Sequence, residues 1–178
     1  MAQPATLLRF KIELSDIDRG IYESLDFRIA QHPSETSIYL LTRIIAYALN
    51  RIEGLEFSAL GLSDPDSPAL RLMGENGQTE LWIEIGNPSA KKLHKASKAA
   101  KLVKVYTYKD PQVLVRELES QHVHRLSEIE IYAISPKFLE SLEKQLARDN
   151  KWSFVLQENL LTVHTQAGPE QCEIQRHR

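Results

Sequence analysis

Thr79-Glu80-Leu81-Trp82-Ile83-Glu84-Ile85-Gly86 is the stretch on which the fold turns. Side chains alternate across a strand, so Leu81, Ile83 and Ile85 share one face and Glu80, Trp82 and Glu84 the other. An acid this deep in apolar sequence has two readings. In a central strand Glu84 lies where water is scarce and requires a metal ion or another cation beside it. In an edge or one-sided strand it simply faces water.

The flanks extend the pattern. Upstream, residues 69–73 read as a strand that returns through a turn at Gly74-Glu75-Asn76-Gly77. Before it, residues 63–68 form a loop holding Asp64, Pro65, Asp66 and Pro68. Downstream, Asn87-Pro88 is a cap followed by proline at the first helical position. Leu93, Ala96 and Ala100 give that helix a thin apolar face, and residues 102–108 return as a strand. Strand, helix and strand in this order make a crossover onto a mixed sheet.

The outer segments follow the same periods. Residues 7–14 and Leu25, Phe27 and Ile29 alternate, with a turn at residues 15–20 between them, so a β-hairpin is expected over residues 6–31. Ser34 reads as an N-cap after Pro33, and Ile38, Leu41, Ile45, Ala48 and Leu49 recur at helical spacing up to Asn50. Residues 57–62 suggest a short strand. Residues 112–120 and 136–147 suggest helices, and residues 128–134 a strand. Residues 152–156 and 160–165 suggest a hairpin, and residues 173–175 an added edge. The polar tail after Gly168 is expected to fray. The expected fold is therefore α/β (α+β): a mixed central β-sheet flanked by helices, within one domain over residues 1–178.

Composition narrows the function classes. The chain has 178 residues, 42% of them hydrophobic and 26% charged, with a formal net charge of −2. That is an ordinary globular profile, so any nucleic-acid binding requires a local basic patch. One cysteine, Cys172, excludes an internal disulfide and a cysteine-based zinc site. No apolar run is long enough to span a bilayer. The N-terminal residues lack the layout of a signal peptide. The expectation is a cytoplasmic, monomeric protein with no membrane partner.

Four acids and a group of lysines are the candidates for chemistry. Asp64 and Asp66 lie one hairpin before Glu84, and hard oxygen ligands so placed suit magnesium or manganese. Asp and Pro also favour turns for purely local reasons. Glu35 follows the expected cap, where the helix dipole stabilises a carboxylate; that suits a metal or water ligand and is equally common as a structural feature. Lys91, Lys92, Lys95, Lys98, Lys101 and Lys104 fall within residues 91–104. Lys91, Lys95 and Lys98 share a helix face, either as a stripe that holds a phosphate backbone or as a solvated surface. The histidines, including His32, His122 and His124, form no ligand cluster, and no glycine-rich phosphate loop is present.

Taken in order, the strings His32-Pro33-Ser34-Glu35-Thr36, Gly61-Leu62-Ser63-Asp64-Pro65-Asp66-Ser67-Pro68 and Leu81-Trp82-Ile83-Glu84-Ile85-Gly86 resemble the YaeQ family of bacterial proteins. Asp16-Ile17-Asp18-Arg19 fits as well, and the resemblance covers essentially the whole chain. That family is similar in fold to the PD-(D/E)xK nuclease superfamily. The resemblance implies a restriction-endonuclease-like core of four mixed strands with an added β-hairpin. It implies a core-helix acid at Glu35, a first metal-binding acid at Asp66 with Asp64 its near competitor, and a second at Glu84. The superfamily's lysine is expected two residues after that second acid, where this chain has Gly86. Lys92 and Lys95 are the candidates to supply the displaced charge, and Lys91 faces as Lys95 does. Two functions follow as expectations. One is a magnesium- or manganese-dependent phosphodiester hydrolase acting on nucleic acid. The other is a non-catalytic module that keeps the nuclease fold and binds nucleic acid or a protein partner through Lys91, Lys95 and Lys98.

Overall fold

The computed structural model describes residues 4–59, 62 and 64–178. Residues 1–3, which carry part of the N-terminal reading, lie outside the described residues. So do Leu60, Gly61 and Ser63, which belong to the expected 57–62 strand and the quoted loop. The chain is a mixed α+β protein with two mixed sheets, and it divides into two compact units. Unit 1 comprises residues 1–41 and 134–174; unit 2 comprises residues 42–133 and 175–178. No helix among the described residues is long and apolar enough to cross a membrane.

Unit 1 is built on the expected hairpin. Strands β1 (Thr6–Asp16) and β2 (Ile21–Gln31) pair antiparallel from Thr6↔Gln31 to Asp16↔Ile21. The hairpin is not an appendage. Strand β8 (Asp149–Gln157) pairs parallel with β1 and is followed by β9 (Leu160–Thr165) and β10 (Gly168–Glu173), giving the order β10-β9-β8-β1-β2. Alternation explains the core: Leu8, Phe10, Ile12 and Leu14 are buried, and Phe10 meets Trp152 edge-on at 5.5 Å. Asp16 continues that inward row and is fully buried. It is satisfied by the Arg19 guanidinium at 2.5 Å and the Arg19 backbone N–H at 3.0 Å. Asp18 accepts the N–H groups of Glu158 and Asn159, whose positive φ values make the β8–β9 turn. The tail after Gly168 is therefore not frayed. It forms β10, with Cys172 buried, and then β11 (Gln175–Arg176) in unit 2.

Unit 2 holds a six-stranded sheet of order β11-β7-β6-β5-β4-β3. Its strands are β3 (Glu56–Phe57), β4 (Leu70–Met73), β5 (Thr79–Ile85), β6 (Ala100–Thr107), β7 (Ile129–Ala133) and β11. Strand β5 is interior, antiparallel to β4 and parallel to β6. Helices α2 (Ala90–Ala99) and α3 (Pro111–Ser120) connect the parallel strands. Leu93, Ala96, Leu114 and Leu118 from these helices cover Trp82, Val103, Val105, Ile129 and Ile131. The remaining helices are α1 (Ser37–Leu49), within which the division between units falls, and α4 (Pro136–Glu143) in unit 1.

Two helix starts differ from expectation. Helix α1 begins at Ser37 and is capped by Thr36, whose Oγ1 accepts the Tyr39 N–H at 3.2 Å. Ser34 instead bonds the His32 ring at 2.6 Å. In α2 the cap is Ser89, which accepts the Lys92 N–H at 3.2 Å, while the Asn87 side chain accepts from Thr107 Oγ1 at 3.0 Å.

Candidate functional site

Glu84 lies next to the end of β5 and is 2% exposed. The interior position of β5 and the cover of α2 and α3 decide between the two sequence readings: this acid is buried. Strand alternation puts Trp82 beside it, and the indole N–H donates to Glu84 Oε1 at 2.7 Å. The other oxygen, Oε2, is 3.1 Å from the Lys92 ammonium. Burial pushes the Glu84 carboxyl above the usual glutamate range, against the opposing pull of Lys92 and of the Trp82 hydrogen bond. The buried acid of β5 thus has the cation it requires, supplied by the first turn of α2.

Gly86 turns the chain out of the sheet just after Glu84. It has φ of +80°, and its N–H donates to Tyr106 O at 2.8 Å as the chain leaves the sheet. A Cβ there meets nothing closer than 3.5 Å, so space is sufficient. The left-handed backbone is what disfavours lysine, or any L side chain, at this position.

The loop acids have different tasks. Asp64 closes a local turn: its carboxylate accepts the Asp66 N–H at 2.9 Å and the Ser67 hydroxyl at 2.5 Å. Those bonds, with weaker help from Lys95 and Lys92, hold its carboxyl below the usual range. The Asp66 carboxylate points away from that turn's bonds to reach Lys95, Oδ1 to Nζ 3.1 Å, at an exposed position. Lys92 and Lys95 are three residues apart on one helix, so unit 2 gathers Asp66 and Glu84 onto the same stretch of α2.

The lysine group is less uniform than its sequence. Lys101 pairs with Glu80 at 2.7 Å. Lys104 lies on the opposite sheet face, paired with Glu130 at 3.5 Å and bonded to Asn50 at 3.0 Å. Among the described residues, Lys91 and Lys98 are exposed and hold no acid. Acids distant in the chain therefore neutralise four of the six lysines, which counting along the sequence does not reveal.

Glu35 belongs to unit 1, where its Oε2 accepts the His32 N–H at 3.1 Å. It precedes α1 rather than lying in its first turn. Among the described residues no group of three or more His, Cys, Asp or Glu side chains is arranged to hold a metal ion. Sequence reasoning missed a polar cluster on the far face of the unit 2 sheet. Asn50 donates to Tyr106 at 2.8 Å, Tyr132 donates to Glu130 at 2.6 Å, and the Tyr106 and Tyr132 rings stack at 5.0 Å. Burial and Glu130 push the Tyr132 phenol up to about 12. The alternation of Lys104, Tyr106, Glu130 and Tyr132 along β6 and β7 was the available signal.

Fold and cluster together define a mixed α+β protein whose second unit buries a strand carboxylate against a helix lysine. The profile of the YaeQ protein family matches residues 1–175, and the chain belongs to that family. Over 108 residues it is 32% identical to the "Uncharacterized protein YaeQ" of Escherichia coli (strain K12) and to that of Salmonella typhi. These alignments cover 61% of this chain and 59% of each relative's length. The crystal structure of the YaeQ protein from Pseudomonas syringae is similar with a TM-score of 0.91 at 33% identity, covering 99% of this chain and 98% of that one. That of the YaeQ protein from Xanthomonas axonopodis pv. citri gives 0.89 at 26% identity, covering 98% of each chain.

Proposed function

We propose that this chain is a nuclease-like phosphodiester hydrolase that uses magnesium or manganese and acts on nucleic acid, with its reacting groups in unit 2. One observation carries the reading: the buried Glu84 carboxylate next to the end of β5 meets an ammonium, Lys92, 3.1 Å away. The PD-(D/E)xK pattern requires that acid and that charge together. Gly86 occupies the usual lysine position, and the first turn of the next helix supplies the charge instead.

The donor set suits a magnesium ion chemically. Such an ion keeps several of its waters and binds proteins through one or two carboxylates, completing its shell with substrate phosphate. Glu84 and Asp66 provide two hard carboxylates. When bound, the ion supplies an activated water and electrostatic stabilisation of the leaving oxygen. Glu84 and Asp66 would hold such an ion, and Lys92 and Lys95 would lie against the phosphate and offset its growing charge. Asp64 keeps the loop in shape.

A second reading rests on the same two ion pairs. With both carboxylates already neutralised, unit 2 is electrostatically complete without a metal. It then serves as a binding module that presents Lys91 and Lys98 to nucleic acid or to an acidic protein partner. Calorimetry with magnesium and manganese separates the two. The hydrolase requires a site that Glu84→Gln and Asp66→Asn each abolish. It also requires manganese-dependent cleavage of a chromogenic phosphodiester that Lys92→Met lowers roughly a hundredfold or more. Heats equal to those of buffer, from a folded protein, reject the hydrolase and leave the module.

A further inference from the structure

We propose that Trp82 is a positioning residue: its indole N–H holds one carboxylate oxygen of Glu84 and thereby aims the other at the cation carried by or drawn to α2. A buried carboxylate on a strand has rotamers to choose from, and a charged group in a poorly hydrated place takes whichever donor it finds. Here the choice is made from within the strand. Trp82 and Glu84 are two residues apart and share a face, and Val105, the neighbour of Glu84 in register on β6, has no polar atom in its side chain to compete. Trp82 is 5% exposed, packed under α2 and α3 among Leu93, Val103 and Leu114, so its ring has little freedom to leave. The 2.7 Å bond takes Oε1, and Oε2 is left to Lys92 at 3.1 Å. Indole is suited to the task, because it presents one donor on a large rigid apolar body and no acceptor. A phenylalanine at 82 keeps an aromatic ring in the core, leaves a gap where the pyrrole ring lay, and cannot hold the oxygen. The consequence for catalysis rests on the hydrolase reading; the aiming of Glu84 at Lys92 does not.

The experiment is therefore done on the metal-free protein first. The coupling between Glu84 and Lys92 is measured from the unfolding constants of wild type, Glu84→Gln, Lys92→Met and the double variant. The same cycle is repeated in the Trp82→Phe background. Positioning requires the coupling factor to fall roughly tenfold or more when the indole N–H is removed, the loss expected for one hydrogen bond to a charged group. A purely structural tryptophan lowers stability in every member and leaves the coupling factor unchanged; that result overturns the proposal. Should Trp82→Phe not fold, the indole N–H resonance of the intact protein decides instead. It must move on Glu84→Gln, and an unmoved resonance overturns the proposal. Manganese-dependent hydrolysis is then assayed in wild type. No turnover together with a reduced coupling factor rejects the hydrolase and keeps the positioning role. Turnover with an unchanged coupling factor does the reverse.

Discussion

At the scale of single residues, the Glu84–Lys92 pair links stability to pH in a definite sense. Burial makes the folded chain hold the Glu84 proton more tightly than the unfolded chain does. The stabilisation from that proton is complete below the ordinary glutamate value of 4.5 and is lost as pH rises through the higher folded value. Lys92 opposes the shift, so Lys92→Met widens the window of loss. The variant should match wild type near the acid end and become less stable from pH 4.5 upward. The deficit should reach about 2 kcal/mol, less than the roughly 3–5 kcal/mol of a fully buried pair, because the Lys92 side chain is 22% exposed. Urea unfolding across this range measures it, and adding Glu84→Gln should remove the deficit. Gly86 makes a second case. Restoring the expected lysine by Gly86→Lys should destabilise unit 2 by about 1–2 kcal/mol, since φ of +80° strains any L residue. Denaturant titration of this variant, still folded, checks the value. The acid and the missing lysine were legible as residue types. That backbone geometry disfavours a lysine there was not, because a glycine in sequence does not disclose the sign of its φ.

At the scale of elements, α2 is what brings the two lysines to the acids. Its start was read at Asn87-Pro88, yet Ser89 holds the cap. Both Asn and Ser satisfy free amides, and the sequence cannot rank them. The tie is broken by β6, whose Thr107 engages Asn87 and leaves Ser89 to the helix. The cap also fixes the backbone of Lys92 through its N–H. Ser89→Ala should therefore lower stability by about 1 kcal/mol and loosen the turn from which Lys92 reaches Glu84. Amide hydrogen exchange should show faster exchange at Lys92 than at Ala99; equal change at both would mean the cap does not hold the first turn. Strands β4 and β5 and the turn between them agree closely with the sequence reading, since period, turn and length agree with one another there; β6 begins at Ala100, which was read as part of the helix face, because α2 ends at Ala99. The same reasoning failed on the tail. The polar stretch after Gly168 lacks alternation, and its ordering as β10 depends on pairing with β9 from Gly168↔Thr165 to Glu173↔Leu160. Pairing partners are supplied by the fold, not by the segment.

At the scale of the molecule, composition and local runs mislead most where charges meet from afar. The expected hairpin exists, but the 149–173 region joins it to complete a sheet of five strands. The lysine group between residues 91 and 104 exists as well, but Glu84, Asp66, Glu80 and Glu130 reach four of its members from other elements. That decides what any nucleic-acid binding should look like. Each phosphate neutralised by a lysine adds about 0.9 to the slope of log affinity against log salt. Six free lysines would give a slope of about −5, whereas Lys91 and Lys98 alone give about −2. For the binding module, fluorescence anisotropy with a short duplex over a range of potassium chloride should return the shallow value. Lys91→Ala with Lys98→Ala should bring it near zero. Lys101→Ala should leave it unchanged, because that ammonium is held 2.7 Å from Glu80. A steeper slope that Lys92→Ala or Lys95→Ala reduces would mean that the Glu84 and Asp66 ion pairs open on binding. The acids would then be exposed together with the lysines released, which is the arrangement the hydrolase reading requires. The salt dependence thus reads out, from the surface inward, whether these carboxylates remain neutralised when phosphate arrives.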